Sequence, residues 1–145
     1  MMWPIMQSPK IRIVPDSGFY IAATLKDGYA RTYLVGKGSE YLSYQLYSSE
    51  NILLEVQSKL ENKFGFDRSM AVSALNNIRR IVTIVHPKEK VSVVIDPDDD
   101  KIIECAIEAK AEVIVSFDKD LLDMKVYREI KIVHPASLKY WFMEK

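Results

Sequence analysis

Apolar residues recur along this chain with two alternating periods, and the alternation predicts its architecture. The run IRIV at residues 11–14 is short and β-branched, as in a strand buried on both faces. Residues 19–25 then read as the start of a helix, which puts Asp16 in the strand-to-helix turn. Residues 26–39 carry Gly28, Gly36 and Gly38 and are predicted to be loop with some extended structure. Leu53, Val56, Leu60 and Phe64 recur at intervals of three and four, the stripe of an amphipathic helix, with Ser48 or Ser49 as its N-cap. Ala71, Leu75, Ile78 and Val82 mark a second helix. The run VSVVI at 91–95 is expected to be a strand or an extended edge.

After DPDDD, residues Ile102, Ile103, Ala106 and Ile107 form the next helical stripe. Residues 112–116 are a compact buried strand, and 131–133 a last short one. Pro135 opens a final helix whose apolar face is Leu138, Trp141 and Phe142. Strands alternating with helices predict an α/β fold: a central parallel sheet of about five strands with helical layers on both sides. In such sheets ligands bind beyond the carboxyl ends of the strands. Asp16 and Asp118 both stand just past such ends.

Composition narrows the picture. With 145 residues and 48% apolar content, the chain is expected to form a single domain over 1–145 with its core in 10–142. Its 20 basic and 20 acidic residues balance, so no large positive field holds nucleic acid unspecifically. One cysteine, Cys105, excludes an internal disulfide framework and fits a reducing compartment. The start MMWPIMQSPK lacks the basic and apolar regions of a signal peptide, and no apolar run approaches the roughly 18 residues that span a bilayer. The expectation is a soluble cytoplasmic protein.

The chemistry lies in the acids. Asp16, Glu55, the cluster Asp96, Asp98, Asp99 and Asp100, and the pair Asp118 and Asp120 each fall at or near an element end. Hard divalent cations take oxygen ligands. A site that neutralises phosphate charge and activates water gathers carboxylates and keeps positions open for water and substrate. Like charges brought together are costly unless a cation compensates them. Each acid also has a plainer explanation. Asp98, Asp99 and Asp100 suit a helix first turn, and Asp118 and Asp120 suit a turn. Glu55, about 200° around the helix from Leu53 at roughly 100° per residue, lies off the apolar stripe and suits solvent. Asp16, directly after a buried strand and Pro15, has fewer structural reasons to be there.

Other motifs are weaker. DPDDD opens like a calcium-binding EF-hand loop, but Lys101 and Ile107 occupy the positions that need Gly and Glu. No glycine-rich nucleotide-binding loop is present. His86 and His134 each precede a proline and read as turn residues, and Cys105 as a packed small side chain. Arg79 with Arg80, and Lys88 with Lys90, are either a solvated face or an RNA-facing rim. Tyr33, Tyr41, Tyr44 and Tyr47 are candidates for a partner surface, base stacking or core packing.

Three segments together resemble a known family. IVPDSGFYIAA, ILLEVQSKLENKFGF and above all DPDDDKIIECAIEAKAEVIVSFDKDLL are similar, in order, to the acid-bearing segments of PIN domains, in the branch of VapC-like toxins. The resemblance covers residues 11–142. It places the first acid at Asp16, the second at Glu55, the third at Asp99 or its neighbour Asp100, and the fourth at Asp118 with Asp120 close behind. Ser116 stands where the family has a hydroxyl that orients the site. Gly18 departs from the Asn usual two residues after the first acid.

The resemblance implies an Mg²⁺- or Mn²⁺-dependent endoribonuclease that leaves 5′-phosphate and 3′-hydroxyl ends. Asp16 and Asp99 would hold the metal, Asp118 would complete that site, and Glu55 would orient the attacking water. It further implies an RNA substrate, a cognate antitoxin whose tail covers the acidic crevice, and a homodimer. The alternative is a PIN-fold RNA- or protein-binding module without turnover.

Overall fold

In the computed structural model, residues 10–36, 44–94 and 96–143 are described, the side chains of 141–143 excepted. Strand β1 (Ile11–Pro15) carries the expected buried run and pairs in parallel with two neighbours, β2 (Tyr44–Ser48) and β4 (Val113–Val115). On the far side of β2 lies β3 (Thr83–Ile84), and beyond β4 comes β6 (Ile130–Val133), both parallel. A short strand β5 (Val126–Tyr127) closes the sheet as an antiparallel edge on β6. The order is β3-β2-β1-β4-β6-β5. Among the described residues the sheet thus has six strands, five of them parallel, where the sequence predicted about five.

Helices flank this sheet. Helix α1 (Ser17–Leu25) follows β1, α2 (Tyr29–Leu34) follows α1, and α3 (Glu50–Asn62) follows β2. Helix α4 (Arg68–Ile81) leads to β3, α5 (Pro97–Ala109) to β4, and α6 (Lys119–Met124) to β5. A 3₁₀ turn at Pro135–Ser137 enters α7 (Leu138–Met143). Helix α3 buries Ile52, Leu53, Val56 and Leu60, and α5 buries Ile102, Ile103, Cys105 and Ala106. Burial of each of the Ile, Leu and Val side chains contributes about 1.5–3 kcal/mol, and together they hold the helices on the sheet. Helix α5 packs across β1, β2 and β4, while α1 packs against α2 and α3. No helix among the described residues is long and apolar enough to cross a membrane.

Several segments differ from the sequence reading. Residues 29–34 form α2, whose Ala30 and Tyr33 enter the core. YQLYS at 44–48 is a strand, so Tyr44 and Tyr47 belong to β2 and Tyr33 to the core, while Tyr41 lies outside the described residues. The segment at 91–94 joins no sheet. The backbone N–H of Val91 donates to Glu104, and those of Val93 and Val94 donate to Asp100 Oδ1. Carboxylates of α5 therefore take the hydrogen bonds a strand partner would supply, and Thr83–Ile84 occupies the sheet edge instead. Phe64 falls beyond the end of α3 and is exposed. Leu138 is buried as expected, whereas the side chains of Trp141 and Phe142 lie outside the described residues.

Candidate active site

The order in which strands are added reverses between the parallel neighbours β1 and β4: β1 leads outward to β2 and β3 on one side, β4 to β6 on the other. At such a switch point the loops past the carboxyl ends diverge and leave a crevice. Asp16 follows β1, and Ser116, Phe117 and Asp118 follow β4, so both loops meet at this crevice. Their junction is tight. The Asp16 N–H donates to the Val115 carbonyl at 2.9 Å.

Asp16 is 6% exposed and closes α1 as its N-cap, Oδ1 accepting from Phe19 N at 2.8 Å. Its Oδ2 accepts from Ser116 Oγ at 2.6 Å and from Phe117 N at 3.2 Å. Ser116 Oγ in turn accepts from Asp118 N at 2.8 Å. One buried hydroxyl thus links the Asp16 carboxylate to the Asp118 backbone. Burial pushes the Asp16 carboxyl above the usual carboxylate range. Its three hydrogen bonds oppose that rise, and the Asp118 charge adds to it.

Asp118 is the N-cap of α6, and its Oδ1 accepts from Asp120 N and Leu121 N. Asp99 lies in the first turn of α5 and is 8% exposed. Its Oδ2 is buried without a hydrogen-bond partner among the described residues. Burial is the largest influence on this carboxyl, followed by the charges of Asp118, Asp96, Asp16 and Glu55, and it is pushed up to about 7. Single carboxylate oxygens of Asp99, Asp118 and Asp120 lie within 4.8 Å of one another.

Asp16, Glu55, Asp96, Asp99 and Asp118 line one cleft of about 210 Å³. The spacing of acids along the sequence brings four of its candidates to this place: Asp16, Glu55, Asp99 and Asp118. The tight oxygen group is Asp99, Asp118 and Asp120, with Asp16 beside it rather than at its centre. Asp100, one residue on, is not in the cleft lining. Its Oδ1 holds the backbone of Val93 and Val94. Two larger depressions, of about 400 and 510 Å³, lie elsewhere, and neither gathers these acids.

Three more residues line the cleft, Asp96 from the acidic cluster and two, Lys59 and Phe117, that the sequence does not single out. Asp96 is the N-cap of α5. Lys59, one turn along α3, pairs with Glu55 Oε1 at 2.9 Å and donates to Ser17 Oγ at 3.3 Å. The Glu-to-Lys spacing of four was the available signal. Phe117, a residue 40% exposed, stands at the cleft. Of the remaining candidates, Arg79 makes a two-pronged pair with Glu50, and Cys105 is packed in the core. His134 caps the 3₁₀ turn, its Nδ1 accepting from Ala136 N.

A divalent cation suits this donor set. All the donors are oxygens, as Mg²⁺ and Mn²⁺ prefer. The unpartnered Asp99 oxygen and its raised pKa mark charge that the protein's own groups leave uncompensated.

Comparisons with known proteins agree with this architecture. A curated relative is an uncharacterized protein of Methanocaldococcus jannaschii, MJ1680. It is 27% identical over 140 residues, covering 89% of this chain and 86% of the relative. Among solved structures, the Mycobacterium tuberculosis sarcin-ricin loop cleaving toxin VapC20 superposes with a TM-score of 0.53 at 18% identity. The match covers 82% of this chain and 98% of that one. The Pyrobaculum aerophilum protein PAE2754 superposes with a TM-score of 0.59 at 16% identity, covering 94% and 91%. At these identities the structures attest the fold. The PIN-domain profile itself matches residues 12–120, from β1 through the first turn of α6, and on that match the chain belongs to the PIN-domain family.

Proposed function

We propose that this chain is a metal-dependent endoribonuclease and the toxin member of a type II toxin–antitoxin pair, acting in the cytoplasm. The observation that carries the reading is the Asp99 carboxylate. It sits with one oxygen unpartnered among four other acids, an arrangement that a bound cation would relieve. Membership of a nuclease family and the fold shared with an RNA-cleaving toxin support RNA as the substrate.

Asp99, Asp118 and Asp120 would hold Mg²⁺ or Mn²⁺, with Asp16 completing the site. When bound, the ion would supply Lewis acidity toward the scissile phosphate and lower the pKa of water at the site. Ser116 holds the Asp16 carboxylate directly and the Asp118 backbone through its N–H, and so would keep the two loops in register when substrate enters. Glu55 would orient the attacking water and accept its proton, and Lys59 limits how far that carboxylate swings. Asp100 keeps the segment before α5 in place and would take no part in the chemistry.

An antitoxin fits the same chemistry, since a segment that silences the cleft must bring a cation to Asp16, Asp99 and Asp118. A homodimer belongs to the same proposal. The test is cleavage of a mixed structured-RNA pool by the purified chain in Mn²⁺, Mg²⁺ and EDTA, beside Asp99→Asn. Cleavage at discrete positions that needs metal and disappears in the variant is expected. If neither cleavage nor Mn²⁺ binding is found, the chain is a binding module on a PIN fold.

A further inference from the structure

We infer that Phe117, braced by His134, is a stacking platform for one unpaired nucleobase beside the scissile phosphate, and so a specificity-determining residue of the cleft. The inference rests on the nuclease reading and deepens it by naming how substrate is held.

Phe117 is a large apolar side chain left 40% exposed at the lining of an acidic cleft. Core packing does not account for it there. Its position is fixed at the root, because its own N–H donates to Asp16 Oδ2. The residues on either side are tied to the same network, Ser116 through its hydroxyl and Asp118 through its N–H. The ring therefore keeps a constant place relative to the acids that would act on the phosphate. It is also held sideways. The Phe117 and His134 rings lie perpendicular at 88°, centroids 5.0 Å apart, and the His134 ring is itself fixed by the Ala136 N–H at 3.0 Å.

The space beside the ring is kept clear by Gly18. A Cβ there would begin 3.7 Å from Phe117 Cδ2 and 3.5 Å from Asp16 Oδ1. Glycine leaves the strip between the first carboxylate and the ring free of side chain, which a flat ligand requires.

Electrostatics give the same direction. The chain is neutral overall, and Lys59, the one cation in the described cleft lining, is already paired with Glu55. Little of the usual attraction for polyanions is left to hold RNA. Stacking supplies affinity without charge and accepts any base, since every base has a π-face. A base inside a duplex is already stacked on its neighbours and cannot be presented to a ring. The platform therefore selects loops and single strands.

The test reads base contact separately from turnover. Short mixed-sequence single-stranded oligoribonucleotides with phosphorothioate linkages and an internal 2-aminopurine are titrated with the full chain in Ca²⁺, and fluorescence quenching reports stacking. Saturable quenching is expected from the wild-type chain and from Phe117→Tyr. Phe117→Leu, which fills the same space without a π-face, is expected to raise the apparent Kd about 5- to 150-fold, from ~1–3 kcal/mol per stacked base at ~1.4 kcal/mol per tenfold. A ring that only packs against His134 would be replaced by Leu without loss, and that result overturns the inference. So does the absence of saturable quenching by the wild-type chain, or equal binding of a duplex of the same sequence. Cleavage of the RNA pool is scored in parallel. Metal-dependent cleavage with ring-independent quenching overturns the platform alone. Ring-dependent quenching with neither metal-dependent cleavage nor Mn²⁺ binding overturns the nuclease reading and leaves a base-binding cleft.

Discussion

Asp99→Asn should stabilise the metal-free protein in alkaline solution while abolishing cleavage, and the size of the effect follows from the cleft. The carboxyl is displaced from an ordinary value of 3.8 to about 7, mainly by burial and then by neighbouring acids. Each tenfold change in proton affinity is worth ~1.36 kcal/mol, so the displacement corresponds to about 4 kcal/mol if folding felt all of it. The cleft opens to solvent, and screening reduces the felt part to about 2 kcal/mol. Between 3.8 and about 7 the native state binds this proton more readily than the unfolded chain. Stability therefore falls as pH rises through that window, and the full cost is present above it. Asparagine keeps the shape and removes the charge.

Urea denaturation in EDTA measures this directly. At about pH 8 the variant should be more stable than the wild type by about 2 kcal/mol, and at about pH 4 the gap should shrink to less than half. Saturating Mn²⁺ should invert the order. A ligand at a hundred times its Kd stabilises the native state by about 2.7 kcal/mol, a gain the variant would largely forgo. A variant that is less stable at alkaline pH without metal, or a gap that does not change with pH, would refute the account of Asp99 as an uncompensated charge.

Three further substitutions separate the roles assigned above. Asp100→Asn keeps an oxygen for the Val93 and Val94 N–H groups, so RNA cleavage assays should find it active where Asp99→Asn is dead. Ser116→Ala removes the hydroxyl that binds Asp16 Oδ2 and receives Asp118 N. Calorimetric titration should show Mn²⁺ affinity weakened about 10- to 100-fold, and chemical denaturation a stability loss of about 1–3 kcal/mol. Lys59→Met deletes the cation beside Glu55. Mn²⁺ should then bind more tightly at low salt, while kcat falls as Glu55 loses its fixed orientation.

The parts of the fold legible beforehand are those whose burial follows from local period. The stripes on α3, α4 and α5 and the strands at β1 and β4 are of this kind. Strand β2 was missed because only Leu46 and Ser48 of YQLYS are buried, so its strand character comes from pairing with β1 and β3 rather than from alternation. The opposite failure occurred at VSVVI, where strong β propensity yields to side-chain carboxylates that take the backbone donors. In the site, spacing could not separate Asp99 from Asp100. Neighbours on a helix point about 100° apart, and only the packed helix decides which one faces the cleft. Lys59 and Phe117 were invisible for a similar reason, since an i,i+4 pair and a lone aromatic are ordinary until the crevice around them exists.

Helix capping and metal binding looked like rival explanations for the acids, and the geometry makes them one. Asp16, Asp96 and Asp118 cap α1, α5 and α6, so the amino ends of three helices converge where the acids gather. A helix amino end carries partial positive charge and unpaired N–H donors. These donors hold the carboxylates together before any cation arrives. Capping also leaves capacity to spare. Asp118 spends Oδ1 on Asp120 and Leu121, and its Oδ2 takes no hydrogen bond from the described residues. Asp99 is the exception. It lies in the first turn of α5 but caps nothing, and its Oδ2 is buried without a partner. Burial, and after it the repulsion that the helix ends relieve elsewhere, therefore falls on one carboxyl, which is why Asp99 rises to about 7 and why the demand for a metal is centred there.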